Sequence, residues 1–330
     1  MANCNRTSFA RIRAFAAAAA LCAAAASVPC RGDVVAGTWN LKWFPSGRAE
    51  HRAPAAKEKA AESDAARVAA EAVSAMRGSS KDCGIILFLQ EMRDASCTSG
   101  LVARAGIKDL QVASVSSFIG RDRRRDWQQC AIATTYPVLA SGWRVWRQRH
   151  GVKSPRGYAW ALVDAGKDGV IACFCVHMKS NYGDVAETEK MTTWLKRMCS
   201  AEQLIEEVPQ FAAPDGRRAT RAIVAGDFNT DIHAPEFDAE KTVRMFFADG
   251  WRDAFEGVPD AARATHPGKS RYRASTLDYI LAKNMPAPAE RRVFPSGGVS
   301  DHDAAFARYP SQVRAGGTLP VTEVDESFDD

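Results

Sequence analysis

Short apolar runs recur along the chain, and each breaks off at a polar residue. Residues 34–39 form a β-prone run that stops at Asn40, and residues 84–89 are apolar up to Gln90-Glu91. Residues 170–176 lead into His177, and residues 222–225 into Gly226-Asp227-Phe228-Asn229. A strand pattern over residues 276–282 carries Leu277-Asp278-Tyr279, and Val299-Ser300-Asp301-His302 opens a last strand that runs through residue 306. Runs of this length bounded by turn formers predict strands buried on both faces. Residues 111–119, 129–134 and 158–163 add further strands, and residues 142–149 interleave Trp143 and Trp146 with Arg144, Arg147 and Arg149 on a hairpin.

Between these runs the period changes to that of helices. Residues 55–76 are rich in Ala, Glu, Lys and Arg and close at Gly78; residues 187–208 stop at Pro209; residues 236–247 form a third helical pattern. Residues 41–47 are expected to be a loop. Strands alternating with helices, without an internal repeat or a linker-like stretch, predict one α/β domain with two or more layers of sheet.

Composition trims both ends of that domain. Three arginines (Arg6, Arg11, Arg13) precede an Ala-rich apolar run ending in Ala24-Ala25-Ala26, the layout of a cleaved secretory signal over residues 1–26. The run is short for a membrane span. Residues 27–314 are then the domain, and residues 315–330, acidic and without a base, are expected to be a disordered tail. The formal charge of +5 falls to +2 without the three leader arginines and rises to +7 once the five tail acids are also set aside, a balance that suits a polyanionic partner without requiring one. Cys30, Cys83, Cys97, Cys130, Cys173, Cys175 and Cys199 remain after the leader. They form no CxxC pair and no zinc spacing, which argues against thiolate metal binding; in an oxidising compartment the expected pairing is Cys173 or Cys175 with Cys199.

The chemistry gathers at the strand ends. An acid and a carboxamide two residues apart, as in Asp227 and Asn229, suit proton transfer or the positioning of a metal or phosphate; alone, they also suit an ordinary Asx turn. Six strand ends sharing the design, with four carboxylates, two histidines and two asparagines, favour convergence on one sheet edge. Clustered acids call for a cation, and hard oxygen donors favour Mg²⁺ or Mn²⁺, with Ca²⁺ a further option.

Taken together, Trp39-Asn40, Gln90-Glu91-Met92-Arg93-Asp94, His177-Met178-Lys179-Ser180, Gly226-Asp227-Phe228-Asn229, Leu277-Asp278-Tyr279 and Ser300-Asp301-His302 resemble the endonuclease/exonuclease/phosphatase superfamily, on its deoxyribonuclease I side, over about residues 33–308. The resemblance implies a four-layer α/β sandwich, two packed mixed β-sheets flanked by helices, and divalent-metal-dependent hydrolysis of phosphoesters by in-line attack of water. It places Glu91, Asn40 and Asp301 on the metal side. Asp227 would activate the water, Asn229 would hold a phosphate oxygen, and His302, oriented by Asp278, would contact the scissile phosphate beside a second histidine, His177. The acidic partner expected for His177 falls among Asp126, Gln128 and Gln129. Arg121, Arg123, Arg124 and Arg125, beside Trp127, and Lys179 with Ser180 are the candidate substrate contacts; an exposed arginine run is equally often plain solvated loop. His51, His150, His233 and His266 are left without a role.

The function expected is that of a secreted or periplasmic, monomeric nuclease, most simply an endonuclease on DNA and also RNA, with no stable membrane insertion. A sphingomyelinase-like or small-molecule phosphodiesterase is the alternative, and a non-catalytic binding module on the same fold is the third reading.

Overall fold

A computed structural model of the chain describes residues 32–47, 53–78, 82–120, 123–181, 186–268 and 273–311. The expected leader and tail lie outside these residues, as do Cys30, His51 and Arg121.

The strands are β1 (Val34–Phe44), β2 (Gly84–Met92), β3 (Gln111–Val115), β4 (Gln129–Thr134), β5 (Val138–Val145), β6 (Gln148–Arg149), β7 (Val152–Lys153), β8 (Gly157–Asp164), β9 (Val170–His177), β10 (Arg221–Asp227), β11 (Arg252–Asp253), β12 (Asp278–Lys283), β13 (Glu290–Phe294) and β14 (Ala304–Tyr309). The helices are α1 (Ala55–Arg77), α2 (Ala95–Arg104), α3 (Glu187–Glu207), α4 (Thr242–Ala248) and α5 (Asp260–Arg263). Two six-stranded mixed sheets form, in the orders β13-β14-β1-β2-β4-β3 and β11-β12-β10-β9-β8-β5. β6 and β7 make a separate hairpin.

The predicted sandwich is what forms, and the two-residue period of its strands explains the layers. Val34, Ala36, Ile86 and Phe88 from one sheet meet Ile171, Cys173, Cys175, Ile223 and Ala225 from the other in a core between them. The alternate residues Val35, Ile85 and Leu87 pack under α1 and α2, with Val68, Val73 and Leu101. On the far side Phe174, Val176, Val224 and Phe228 pack under α3 and α4, with Leu204, Val243 and Phe246. Strands apolar on both faces thus sit between helical layers, which is why their sequence runs are continuous.

Four local expectations are corrected. β1 does not end at Asn40 but runs on to Phe44 through a bulge, with Lys42 and Trp43 in the left-handed region (φ 45° and 52°). The strand expected over residues 111–119 ends at Val115, and Ile119 keeps only a single bridge to Arg125. The helix expected over residues 236–247 splits into a turn at Pro235–Phe237 and α4, because Glu240 between them is pulled inward to pair with Arg197. α2 was not anticipated; Asp94 starts it by accepting the Cys97 N–H at 2.9 Å.

The expected disulfide is also corrected: the six described cysteines are all free thiols. Cys173 and Cys175 point into the core between the sheets, whereas α3, which carries Cys199, covers the opposite face of β9. Among the described residues, no helix is long and apolar enough to cross a membrane.

Candidate active site

Register alone brings the first residues together. β10 lies between β9 and β12, and Asp227 is level with His177 on one neighbour and with Asp278 on the other. β1 and β2 run parallel in the facing sheet with Asn40 level with Gln90. Gly226 lets this centre close up: it sits at φ 151°, and a Cβ there would fall 1.9 Å from the Val176 carbonyl oxygen, so no other residue fits without moving β9.

Asn40 joins the two sheets. Its Nδ2 donates to Glu91 Oε1 at 3.1 Å and to Asp227 Oδ2 at 2.9 Å, while its Oδ1 accepts the Lys42 N–H at 3.0 Å. The Trp43 N–H donates to Glu91 Oε2 at 2.9 Å. Asp227 Oδ1 accepts the Asn229 N–H at 2.8 Å. His302 Nδ1–H donates to Asp278 Oδ2 at 2.7 Å, which directs Nε2 toward Asp227 Oδ2, 4.0 Å away. His177 Nε2 lies 3.6 Å from the same Asp227 oxygen and 3.7 Å from Glu91 Oε1. These last three separations exceed hydrogen bonds. His302 is held from behind as well: its carbonyl accepts Trp39 Nε1–H, and its N–H donates to Ser300 Oγ, which in turn donates to the Asn40 carbonyl. Thr265 Oγ1 accepts the N–H groups of Leu277 and Asp278 at 3.1 Å each.

Backbone strain collects here. Lys42, Trp43, Glu91 (φ 60°) and Asn229 (φ 54°) are non-glycine residues in the left-handed region. Such conformations cost on the order of 1 kcal/mol or more each and persist where surrounding bonds over-determine them. The bulges in β1 and β2 re-aim Asn40 and Glu91.

Burial sets the charges. It pushes the Asp227 carboxyl up to about 7, with Asp278 adding to the rise and His302 opposing it. Burial pulls His302 the other way, but Asp278 against Nδ1, with Asp227 and Asp301 nearby, pushes it up to about 10, so His302 is an imidazolium at neutral pH. Burial, then the positive charges of Arg156 and His302, holds His177 well below the usual histidine range, as a neutral ring. One cationic and one neutral histidine therefore flank a carboxylate that is close to gaining a proton.

The residues fit a hard divalent cation. Glu91 and Asp227 are buried acids whose carboxylate oxygens suit such an ion; Asn40 turns its Nδ2 toward both and so positions these oxygens rather than ligating itself. Asp227, Asp278 and His302 also each offer a donor atom within 4.8 Å of the others, but the Asp278–His302 hydrogen bond already occupies that pair with each other. A second group, His150, Cys199 and Glu202, stands elsewhere, between the β6–β7 turn and α3, where Arg149 already meets Glu202 at 3.1 Å.

Seven of the predicted site residues are thus brought together: Asn40, Glu91, His177, Asp227, Asn229, Asp278 and His302. Asp301 is not among them; its carboxylate pairs with Lys42 Nζ at 2.6 Å on the rim. Asn229 Nδ2 donates to the Met178 carbonyl at 3.3 Å. The acidic partner expected behind His177 does not form among the described residues: Asp227 and Glu91 face its Nε2, and its Nδ1 is buried without a hydrogen bond. Asp126 accepts the Gln128 N–H, Gln128 accepts Arg156, and Gln129 bonds to Ser116 and Phe118. Arg123, Arg124 and Arg125 are exposed, next to Trp127, whose ring lies 5.9 Å from the Arg93 guanidinium. Lys179 Nζ donates to the Ser180 carbonyl.

Three side chains near the centre carried no signal in the sequence. Arg156 donates to the carbonyls of His177 and Met178. The His266 ring stands edge-on to His302 at 5.4 Å, and Asn181 Nδ2 donates to the Asn229 carbonyl at 2.9 Å. Only Asn181, within the run that follows His177, stood beside a motif.

Strand-end acids and histidines on a two-sheet sandwich define a metal-dependent phosphoester hydrolase fold, and sequence comparison agrees. The chain belongs to the endonuclease/exonuclease/phosphatase family, whose profile matches residues 37–302. Members of that family are metal-dependent phosphoester hydrolases. The fold is similar to humanized TDP2 from D. rerio (16% identity, TM-score 0.54, covering 84% of this chain and 99% of that one). It is also similar to an endonuclease/exonuclease/phosphatase family protein from Leptotrichia buccalis (17%, 0.54, 84% and 100%) and to SmcL (14%, 0.55, 84% and 99%). At these identities the likeness is one of fold. No curated protein sequence matches the chain.

Proposed function

We propose that the protein is an exported, monomeric, divalent-metal-dependent phosphodiesterase that cuts nucleic acid, DNA and also RNA, by in-line attack of water on phosphorus. The observation that carries this reading is the setting of Asp227. One carboxylate oxygen is fixed by the Asn229 N–H, and the other faces Nε2 of His177 and of His302 at 3.6 and 4.0 Å. Neither separation is a direct hydrogen bond, so the carboxylate and both imidazoles can turn toward one oxygen of a bound phosphate or of the attacking water lying beside them.

In this reading Asp227 Oδ2 orients the water and takes its proton, and its raised affinity for a proton suits a base that works near neutrality. His302, kept charged by Asp278, donates from Nε2 to a phosphoryl oxygen as negative charge grows there. Neutral His177 donates or accepts on the other side of the same phosphate. Glu91, with Asp227 beside it and with help from Asn40, which positions both carboxylates, would hold Mg²⁺ or Mn²⁺, which when bound supplies Lewis-acid stabilisation of the phosphoryl charge. Asp301 serves that site from the rim, through Lys42, whose N–H braces Asn40. Arg121, Arg123, Arg124, Arg125, Lys179 and Ser180 supply contacts to the polyanion. Residues 1–26 act as the export signal, and the acidic tail over residues 315–330 lies outside the catalytic unit.

The test is direct. The mature protein is incubated with supercoiled plasmid, with RNA and with sphingomyelin vesicles, in Mg²⁺ and in chelator. Chelator-sensitive nicking is the expected result. Turnover of sphingomyelin alone would replace the nucleic-acid reading with a lipid one, and no turnover of any substrate would remove catalysis from the proposal.

A further inference from the structure

Asn229 holds a left-handed backbone and pins Asp227 through its N–H, so whatever pins Asn229 also sets the base. Two bonds do so from the segment that follows β9. Asn229 Nδ2 donates to the Met178 carbonyl, and Asn181 Nδ2 donates to the Asn229 carbonyl. That segment has its own anchor. Arg197 of α3 is fully buried and ion-paired with Glu240, whose side chain is equally inaccessible. The guanidinium uses Nε and Nη2 on the two Glu240 oxygens and Nη1 on the Lys179 carbonyl and on Asn181 Oδ1, both at 2.8 Å. Glu240 also accepts Thr242 Oγ1–H at the start of α4.

One guanidinium therefore ties α3 to the loops leaving β9 and β10, the two strands that deliver His177 and Asp227. Asn181 bonds to both Arg197 and Asn229, receiving with its oxygen and donating with its nitrogen. A fully buried ion pair is weak evidence for stability, since desolvation offsets most of the attraction, but it fixes geometry where further donors of the guanidinium are used, as Nη1 is here. We infer that Asn181 is a positioning residue: anchored by the Arg197–Glu240 pair, it holds the strained Asn229 backbone and through it the orientation of the Asp227 carboxylate.

The kinetic half of this inference rests on the proposed function, and the structural half does not. The test uses Asn181→Asp and Asn181→Leu in the mature chain. Asp keeps the acceptor for Arg197 and replaces the donor to Asn229 by a carboxylate oxygen that repels the Asn229 carbonyl; Leu removes both bonds. Two quantities are read: amide hydrogen exchange at Asn229, with α3 amides and melting temperature as folding controls, and kcat and KM on a phosphodiester in Mg²⁺.

For both variants exchange at Asn229 is expected to rise by about tenfold or more while α3 stays protected. The kcat should fall by about ten- to a hundredfold with KM held within about threefold, the usual cost of losing a partner that orients a catalytic group. If Asn181→Asp keeps wild-type exchange at Asn229, or keeps wild-type kcat in an active enzyme, the relay is wrong and Asn181 merely packs against Arg197. If the wild type hydrolyses no phosphodiester while Asn229 exchange still accelerates in both variants, the relay stands and the proposed function falls.

Discussion

Asn40, Glu91, His177, Asp227 and Asp278 come from five different strands, His302 from the approach to a sixth, and all are buried; Arg123, Arg124 and Arg125 follow one another on a single loop and are exposed. Both regions look like chemistry in the sequence. In the first, most polar atoms are held by others that are held in turn, as when Ser300 braces Asn40 and His302 at once, while His177 Nδ1 and Asp278 Oδ1 are buried without a hydrogen bond among the described residues. In the second the side chains are exposed, where long side chains lose entropy on binding and salt screens their charges. Fixed dipoles in a dry site act strongly because they need no reorganisation when charge develops. The difference teaches that residue type nominates a site but that burial with full hydrogen bonding decides how much one side chain can matter.

The largest expected effect tests the buried region as a whole. Chelation should reduce phosphodiester hydrolysis to background, with Mg²⁺ or Mn²⁺ restoring it; activity that survives exhaustive dialysis against chelator breaks the assignment of Glu91 and Asn40. Next, Asp227→Ala and His302→Ala should each lower kcat by about a hundred- to a thousandfold with the fold intact by circular dichroism. Near wild-type turnover in either would erase the contrast between the two regions. Replacing Arg123, Arg124 and Arg125 together by Ala should leave kcat within about twofold and raise KM on DNA several-fold, while the dependence of log KM on log salt flattens by up to about 2–3. A collapse of kcat in that triple variant would move the loop into the catalytic machinery.

The smallest effect lies between the regions, at Asp94, which caps α2 and pairs with Arg93 at 3.1 Å. Asp94→Ala should cost about 1 kcal/mol of stability at neutral pH. Burial opposes ionisation of this carboxyl, but the Cys97 N–H and Arg93 outweigh it and lower its pKa below the ordinary aspartate value of 3.8. A carboxyl depressed by folding stabilises above its unfolded pKa and loses that contribution as pH falls through the folded value. The melting-temperature gap between wild type and Asp94→Ala should therefore be constant above about pH 5 and close below about pH 4. A gap that persists at pH 2 assigns the loss to packing.

Much of the site was legible because it sits where apolar runs stop, and strand alternation carried the layer architecture with it. The disulfide was misjudged from the same sequence: Cys173 and Cys175 share the parity of core-facing Ile171, so period 2 already separates them from a helix on the other face of β9. The rest was hidden for a physical reason. Bulges in β1 and β2 insert residues that shift the facing, so no period predicts that Asn40 reaches across to Asp227 or that Glu91 turns to meet Trp43. The helix over residues 236–247 failed because a buried pairing with Arg197, 43 positions away, outweighed local propensity.

The sequence by itself determined which strands are buried and that acids, amides and histidines stand where their apolar runs stop, because these are local consequences of hydrophobic pattern and turn chemistry. Only the tertiary structure decided which of them meet. It set Asp301 on Lys42, left His177 Nδ1 without a hydrogen bond among the described residues, charged His302 and kept His177 neutral, since pKa and contact depend on burial and on neighbours far away in the chain. It also placed Arg197 and Asn181 behind Asn229, a connection between two loops and a helix that no spacing along the chain records.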